Sequence, residues 1–367
     1  MSDATAYAAL DDRVLVVRSE GDDPTAVGSE PSATDEWTAD ERLVGTDFES
    51  VATSPDRPDR AFAGTVESGI HRTVDGGDTW ERVAPDIDDR VTALAVSPHD
   101  PDVVWAGTEP SAVYRSTDGG DTWTPLPPLS DLPSESEWSF PPRPHTHHVR
   151  WLEPDPGDPG RLYVAIEAGA LVRTDDALAA TAADGADGTE TWQDRPEGAR
   201  YDNHTLATHP DAEGRVYTAA GDGYAQSEDG GDTWTYPQEG LDHGYVWGLA
   251  VPRADPDTVV VSAAGGARSA HSVSTAEAYV YRTTNAGNGD GDASREASTE
   301  WSLAMDGLPD PEGTVRSILA AAGGSVLFAL NNRGLYRSAD AGASWDRVPL
   351  EWPDAYESQT PRGLAVV

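Results

Sequence analysis

The chain has no cysteine and no lysine, only 2 methionines and 4 phenylalanines, and no apolar run long enough to span a membrane. Without cysteine there is no disulfide, no Cys-ligated zinc, no iron–sulfur centre and no thiol nucleophile. Every one of its 25 basic residues is therefore arginine, set against 65 acidic ones, for a formal net charge of −40. So acidic a chain is not drawn to nucleic acid or to an anionic membrane by bulk electrostatics. The opening MSDATAYAALDDRVLVV lacks the basic start and apolar centre of a signal peptide. The expectation is a soluble, cytoplasmic protein, and a monomer. There is also no P-loop, no dinucleotide glycine fingerprint running into a helix, no H-E-x-x-H and no G-x-S-x-G. No cofactor is expected.

High charge with low hydrophobicity is one signature of disorder. Here 12 Trp, 12 Tyr and regular β-branched runs argue for a folded core instead. A folded protein coated in carboxylates fits the cytoplasm of salt-loving organisms, where salt screens the self-repulsion.

One pattern recurs. TVDGGDTW (73–80), STDGGDTW (116–123), SEDGGDTW (227–234) and SADAGASW (338–345) all read S/T-x-D-x-G-x-S/T-W. Two interrupted copies survive as Thr174, Asp176 and Trp192, and as Thr283, Asn285, Gly287 and Trp301, each with 11 extra polar residues between its halves. A seventh unit is reduced to Trp37. Undisturbed copies place their Trp residues 42–44 positions apart. That period fits one four-stranded propeller blade.

Each unit carries short alternating runs punctuated by Pro, Asp and Gly, as strands do. The innermost strand recurs as DFESVATSP (47–55), RVTALAVSP (90–98), HHVRWLEP (147–154), NHTLATHP (203–210), YVWGLAVP (245–252) and TVRSILA (314–320). The seventh copy, TPRGLAVV (360–367), ends the chain, while the first blade starts at RVLVV (13–17) with no innermost strand before it. The reading is one all-β domain, a seven-bladed β-propeller closed by the C-terminal strand completing the N-terminal blade. Its blades are 13–37 plus 360–367, 47–80, 90–123, 147–192, 203–234, 245–301 and 314–345. Such closure leaves only short, protected sheet edges. Within the repeat, Asp75, Asp118, Asp229 and Asp340 are expected to accept backbone N–H bonds in a tight turn, glycine to supply positive φ, and Trp to pack between blades.

These octapeptides resemble the BNR/Asp-box repeats of sialidases, xyloglucanase propellers, sortilin-type receptors and photosystem II assembly-factor propellers. The resemblance spans nearly the whole chain, and the seven-unit count is more similar to the assembly-factor and xyloglucanase propellers than to six-bladed sialidases. PPRPHTHHVRW (141–151) also resembles segments of uncharacterised haloarchaeal BNR-repeat proteins. The resemblance implies a fold rather than an activity, since these relatives include enzymes, receptors and chaperones. It also implies that the Asp boxes sit opposite the binding face.

Aligning the inner strands on the Leu of ALAVSP puts Glu49, Thr92, Arg150, His204, Trp247, Arg316 and Arg362 at one level near a single face. Arginine forks match carboxylate and phosphate, and Trp247 offers a stacking surface. The functional reading is an anion pocket; the structural one is an internal ring of arginines paired with Glu49 and Glu167. Ligand-binding candidates are Arg150, Arg316, Arg362, Trp247, His148, Tyr201, Asp222 and Asn332. Catalytic candidates are Glu167, Glu49 and His204. The cluster His145, His147 and His148 has no specific metal-ligand spacing, and no metal is assigned to it. Loops 124–146 and 264–278 are expected to overhang this face, with Trp138 and Phe140 either touching ligand or packing the loop down. Two functions follow. One is a binding or scaffold propeller for a small anionic ligand, acidic sugar or peptide. The other is a glycoside hydrolase acting on an acidic sugar, which needs two carboxyls at a defined separation or a Tyr nucleophile such as Tyr201 or Tyr245.

Overall fold

The computed structural model describes residues 4–20, 36–179, 192–287 and 299–367. The inserted stretches of the two interrupted repeats fall largely on 180–191 and 288–298, outside the described residues. The described residues form seven antiparallel sheets, each a meander running from an innermost to an outermost strand. The innermost strands are Phe48–Ser54, Arg90–Val96, Val149–Pro154, Asn203–Thr208, Tyr245–Ala250, Ile318–Ala321 and Gly363–Val366. Each touches the next, and the last returns to the first, so the ring is closed around one axis. In the 203–235 sheet the outermost strand is reduced to a single bridge, Gln226 to Thr235. No helix among the described residues is long and apolar enough to cross a membrane.

The C-terminal strand closes the ring by pairing with Thr5–Ala9, Leu364 opposite Ala8. Thr5–Ala9 is a strand that the 13–37 boundary of the first blade omitted. Its sequence, TAYAA, is alanine-rich and has little intrinsic strand preference. Pairing on both sides, with Val14–Glu20 and with Gly363–Val366, makes it a strand.

The repeated octapeptide is a self-contained turn. Asp75 Oδ1 accepts from Thr73 Oγ1 at 2.8 Å and from Thr79 N at 2.9 Å, and its Oδ2 accepts from Thr79 Oγ1 at 2.6 Å. Asp118, Asp229 and Asp340 repeat that set. Gly77 sits at φ 93°, and a Cβ there would come 2.8 Å from Val16 of the neighbouring blade. The turn thus docks one blade on the next. Trp80 completes the contact edge-on to Tyr7, centroids 6.1 Å apart, and Trp301 meets Tyr224 at 4.9 Å in the same way.

Register places these turns away from the funnel. Thr73 ends a strand opposite Ala61, which faces Thr53 near the end of the inner strand; Phe48, at that strand's start, pairs with Thr65. The octapeptides therefore occupy the end of the barrel remote from Glu49.

Candidate functional site

The inner strands share a defect. Register slips by one residue between Phe48 and Ser50, Val91 and Ala93, Val149 and Trp151, Asn203 and Thr205, and Val246 and Gly248. The residue skipped each time is Glu49, Thr92, Arg150, His204 or Trp247. A bulge residue leaves the ladder and re-aims its side chain. Repeated around a closed ring, the bulge gathers side chains distant in sequence at one mouth. Arg316 and Arg362 reach the same mouth just ahead of their inner strands, which begin at Ile318 and Gly363.

The result is a cavity of about 610 Å³. Six arginines line it (Arg90, Arg143, Arg150, Arg268, Arg316 and Arg362) against three acids, Glu49, Glu167 and Asp202. The cavity is a basic site in a chain of net charge −40. Trp247 forms its platform, with the Arg150 and Arg316 guanidinium carbons 4.6 and 4.9 Å from its ring centroid.

The arginines differ in their partners. Arg362 is bound to Asp11 at 2.6 Å and lies 3.9 Å from Glu49, and Glu49 in turn holds Arg90 at 3.0 Å. Arg143 grips Glu109 through two bonds, at 2.7 and 2.5 Å. Arg150 has only a loose contact, Nε to Glu167 at 3.8 Å. Arg316 is 2% exposed, and among the described residues neither its Nε nor its Nη1 has a hydrogen-bond partner. Burial, with the charges of Arg150 and Arg362, lowers its pKa to about 9.

Beside Arg150, His148 Nε2 donates to Glu167 Oε2 at 3.1 Å. Burial alone would raise the Glu167 carboxyl. That hydrogen bond and the nearby positive charge, Arg150 included, outweigh burial and hold it at about 2. His204 is fully buried; its Nδ1 lies 2.8 Å from the Val246 carbonyl, and its ring packs 4.2 Å from that of Trp247. Tyr245 bonds His271 Nε2 at 3.2 Å. Burial, with the charges of Glu167 and Asp202, drives the Tyr245 phenol upward, so it stays protonated. Burial and Arg316 push His271 down to about 2, so that imidazole is neutral.

Of the seven aligned residues, Glu49, Thr92, Arg150, Trp247, Arg316 and Arg362 line the cavity directly, and His204 lies behind Trp247. His148 and Glu167 join them. Three other candidates lie elsewhere. Tyr201 is 45% exposed, lies beneath Arg195 and bonds the Glu137 carbonyl. Asp222 pairs with Arg200 at 3.3 Å, outside the cavity. Asn332 is buried as loop scaffolding, bonding Val315 N, Gly313 O and Glu357 O. His147 is likewise tied down, between Ser111 and Glu135, and His145 is exposed. Both long loops contribute walls: Phe140, Pro141, Pro142 and Arg143 from one, Ala267, Arg268 and His271 from the other. Trp138 instead packs its loop down, its indole donating to Ser134 at 2.8 Å. The sequence reading missed Asp202 and His271 as cavity residues. His271 lies on the 264–278 loop expected at this face and Asp202 just ahead of an inner strand, but nothing in either segment singles out those two.

No family model matches the sequence, and no curated protein matches it. Solved structures do share the fold. An ancestral GH74 enzyme superposes with a TM-score of 0.57 at 14% identity, over 82% of this chain and 38% of that one. YCF48 bound to D1 peptide gives 0.53 at 19% identity, over 83% of this chain and 82% of that one. The GH74 enzyme of Niastella koreensis gives 0.50 at 15% identity, over 94% and 59%. This chain thus spans well under half of the ancestral GH74 enzyme. At such identities the likeness is one of fold: this chain is similar to the seven-bladed propellers of both the GH74 and YCF48 kinds.

Proposed function

We propose that the funnel binds an anionic ligand, a carboxylate- or phosphate-bearing small molecule or an acidic peptide, and that this protein is a binding or scaffold propeller. The observation that carries this reading is Arg316. A buried guanidinium normally has its hydrogen-bonding capacity met by protein groups. Here two of its nitrogens have no partner among the described residues, while a cavity lined with arginines opens in front of it. An incoming oxyanion would satisfy them with charge-assisted, bidentate geometry. That YCF48, a propeller of the same fold, is solved with a peptide is compatible with a peptide ligand.

The alternative, hydrolysis of an acidic sugar, is less well supported by the same side chains. A glycosidic general acid needs a raised pKa, and Glu167 is held at about 2. Glu49 is engaged by Arg90 at 3.0 Å. A Tyr nucleophile must ionise or meet a base; the Tyr245 phenol is pushed away from ionisation, and its partner His271, held at about 2, is too weak a base to take the proton. The carboxylate-rich surface and the absence of cysteine support a cytoplasmic setting in a salt-loving cell, acting as a monomer.

The test is thermal unfolding in molar KCl with glucuronate, sialic acid, inorganic phosphate, sulfate and a short acidic peptide as probes. At least one is expected to raise the Tm of the wild type and not that of Arg316→Met. A rise of equal size in the variant would move the site away from the funnel.

A further inference from the structure

Next to Arg150, one donor atom each from Glu167, Asp202 and His204 lies within 4.8 Å of the others. Two carboxylates near a histidine are common on acidic surfaces and mean little alone. This histidine is different. It is fully buried, and its Nε2 has no hydrogen-bond partner among the described residues. Its other nitrogen faces a carbonyl, which can only accept, so the N–H sits on Nδ1 and bonds Val246 O at 2.8 Å. The Nε2 is then aimed at Asp202 Oδ2, 3.6 Å away. A backbone carbonyl fixing Nδ1–H while Nε2 faces a cluster of acids is the arrangement that orients metal-binding imidazoles.

The acids are braced in the same manner. Asp202 Oδ1 accepts from Ala168 N at 2.8 Å, which orients Oδ2. Glu167 is oriented by His148 at 3.1 Å. Space is kept as well: a Cβ on Gly221 would fall 2.0 Å from Asp202 Oδ2 and 3.3 Å from His204. Two ligand atoms about 2.1 Å from a tetrahedral ion sit roughly 3.4 Å apart, close to the observed 3.6 Å.

We propose that Glu167, Asp202 and His204 form a binding site for one divalent transition-metal ion, Zn²⁺ or Mn²⁺, on the funnel wall. One imidazole with two carboxylates suits those ions, and solvent or a bound ligand would complete the coordination. The site goes beyond the anion reading and does not rest on it, since none of its ligands is an arginine.

The experiment is calorimetric titration of chelator-treated protein with Zn²⁺ and with Mn²⁺ in molar KCl, which suppresses diffuse binding to the acidic surface. Cobalt absorption serves as a second readout of an imidazole-containing site. The wild type is expected to bind one ion per chain, with a visible Co²⁺ band. Asp202→Asn and His204→Gln should each weaken binding about tenfold or more. Asp202 is partly exposed, so its variant keeps the test valid if the His204 variant fails to fold. The absence of one-site binding, or unchanged affinity in Asp202→Asn, would overturn the proposal, while the arginine test above would be unaffected.

Discussion

The Arg316 guanidinium lies 4.9 Å from the Trp247 ring centroid, buried, with no acid paired to it. Cation–π attraction offsets only part of the cost of that burial. The rest is stability given up for a site that is ready before its ligand arrives. Arg316→Met should therefore raise the stability of the ligand-free protein, by about 1–4 kcal/mol on the scale of comparable buried-charge replacements. The same change should abolish the anion-dependent rise in Tm. Thermal unfolding with and without ligand reads both effects, and a variant less stable than the wild type would mean that Arg316 is structural.

Asp229 binds Ser227 Oγ, Thr233 N and Thr233 Oγ1 at 2.7–2.8 Å within its own turn. Asp229→Ala should cost roughly 1–2 kcal/mol, the usual cost of losing a side chain that caps local backbone donors. Ligand and metal affinity should not change, because that turn lies at the end of the propeller remote from the funnel. Denaturant unfolding together with the two binding assays checks this, and altered affinity would show that the ends are coupled.

Glu153 offers a pH-dependent contribution. Burial raises its pKa from 4.5 to about 7, against donors from Trp151 and Thr208 that favour the charged form. The folded protein thus holds this proton more tightly than the unfolded chain. Its contribution is complete below pH 4.5 and is lost as pH rises to about 7. The loss is at most about 3 kcal/mol. Glu153→Gln should flatten the stability profile over this window. A profile parallel to the wild type's would place the titration on another group.

With 65 acids against 25 arginines, the folded chain repels itself at low ionic strength. Its Tm should climb steeply as KCl increases from millimolar to molar, well beyond the Debye screening of any single pair. A Tm independent of salt would show that local ion pairs already cancel the repulsion.

How far the sequence alone reaches is clearest at particular residues. Arg150, Trp247 and Arg316 were legible as neighbours because the inner strands repeat one register anchored on an aliphatic residue, Leu in five of the seven, and five of the strands repeat one bulge. Glu167 was legible because it directly follows the strand Leu162–Ile166, which pairs with an inner strand. Tyr201, Asp222 and Asn332 were not, because a loop has no period to fix where a side chain points. Tyr201 turns outward beneath Arg195, and Asn332 turns inward to hold three backbone groups. The Thr5–Ala9 strand was hidden for a different reason: its partners, not its own residues, make it a strand.

Arg150 connects the two proposed sites. Its Nε lies 3.8 Å from Glu167, its nearest counter-charge, and its guanidinium carbon lies 4.6 Å from the Trp247 centroid. A cation bound by Glu167 takes over part of the carboxylate charge that Arg150 now feels. Arg150 is then left with more unsatisfied positive charge facing the platform, where an anion would sit. An anion there would in turn relieve the repulsion between Arg150 and the metal. Mn²⁺ should therefore tighten sulfate binding, and sulfate should tighten Mn²⁺ binding by the same factor, as linkage requires. A coupling of about 5-fold or more is in the usual range for such pairs. Titrating each ion in the absence and presence of the other measures both factors. Mutual weakening, or no coupling at all, would mean that Arg150 does not share its charge between the two walls.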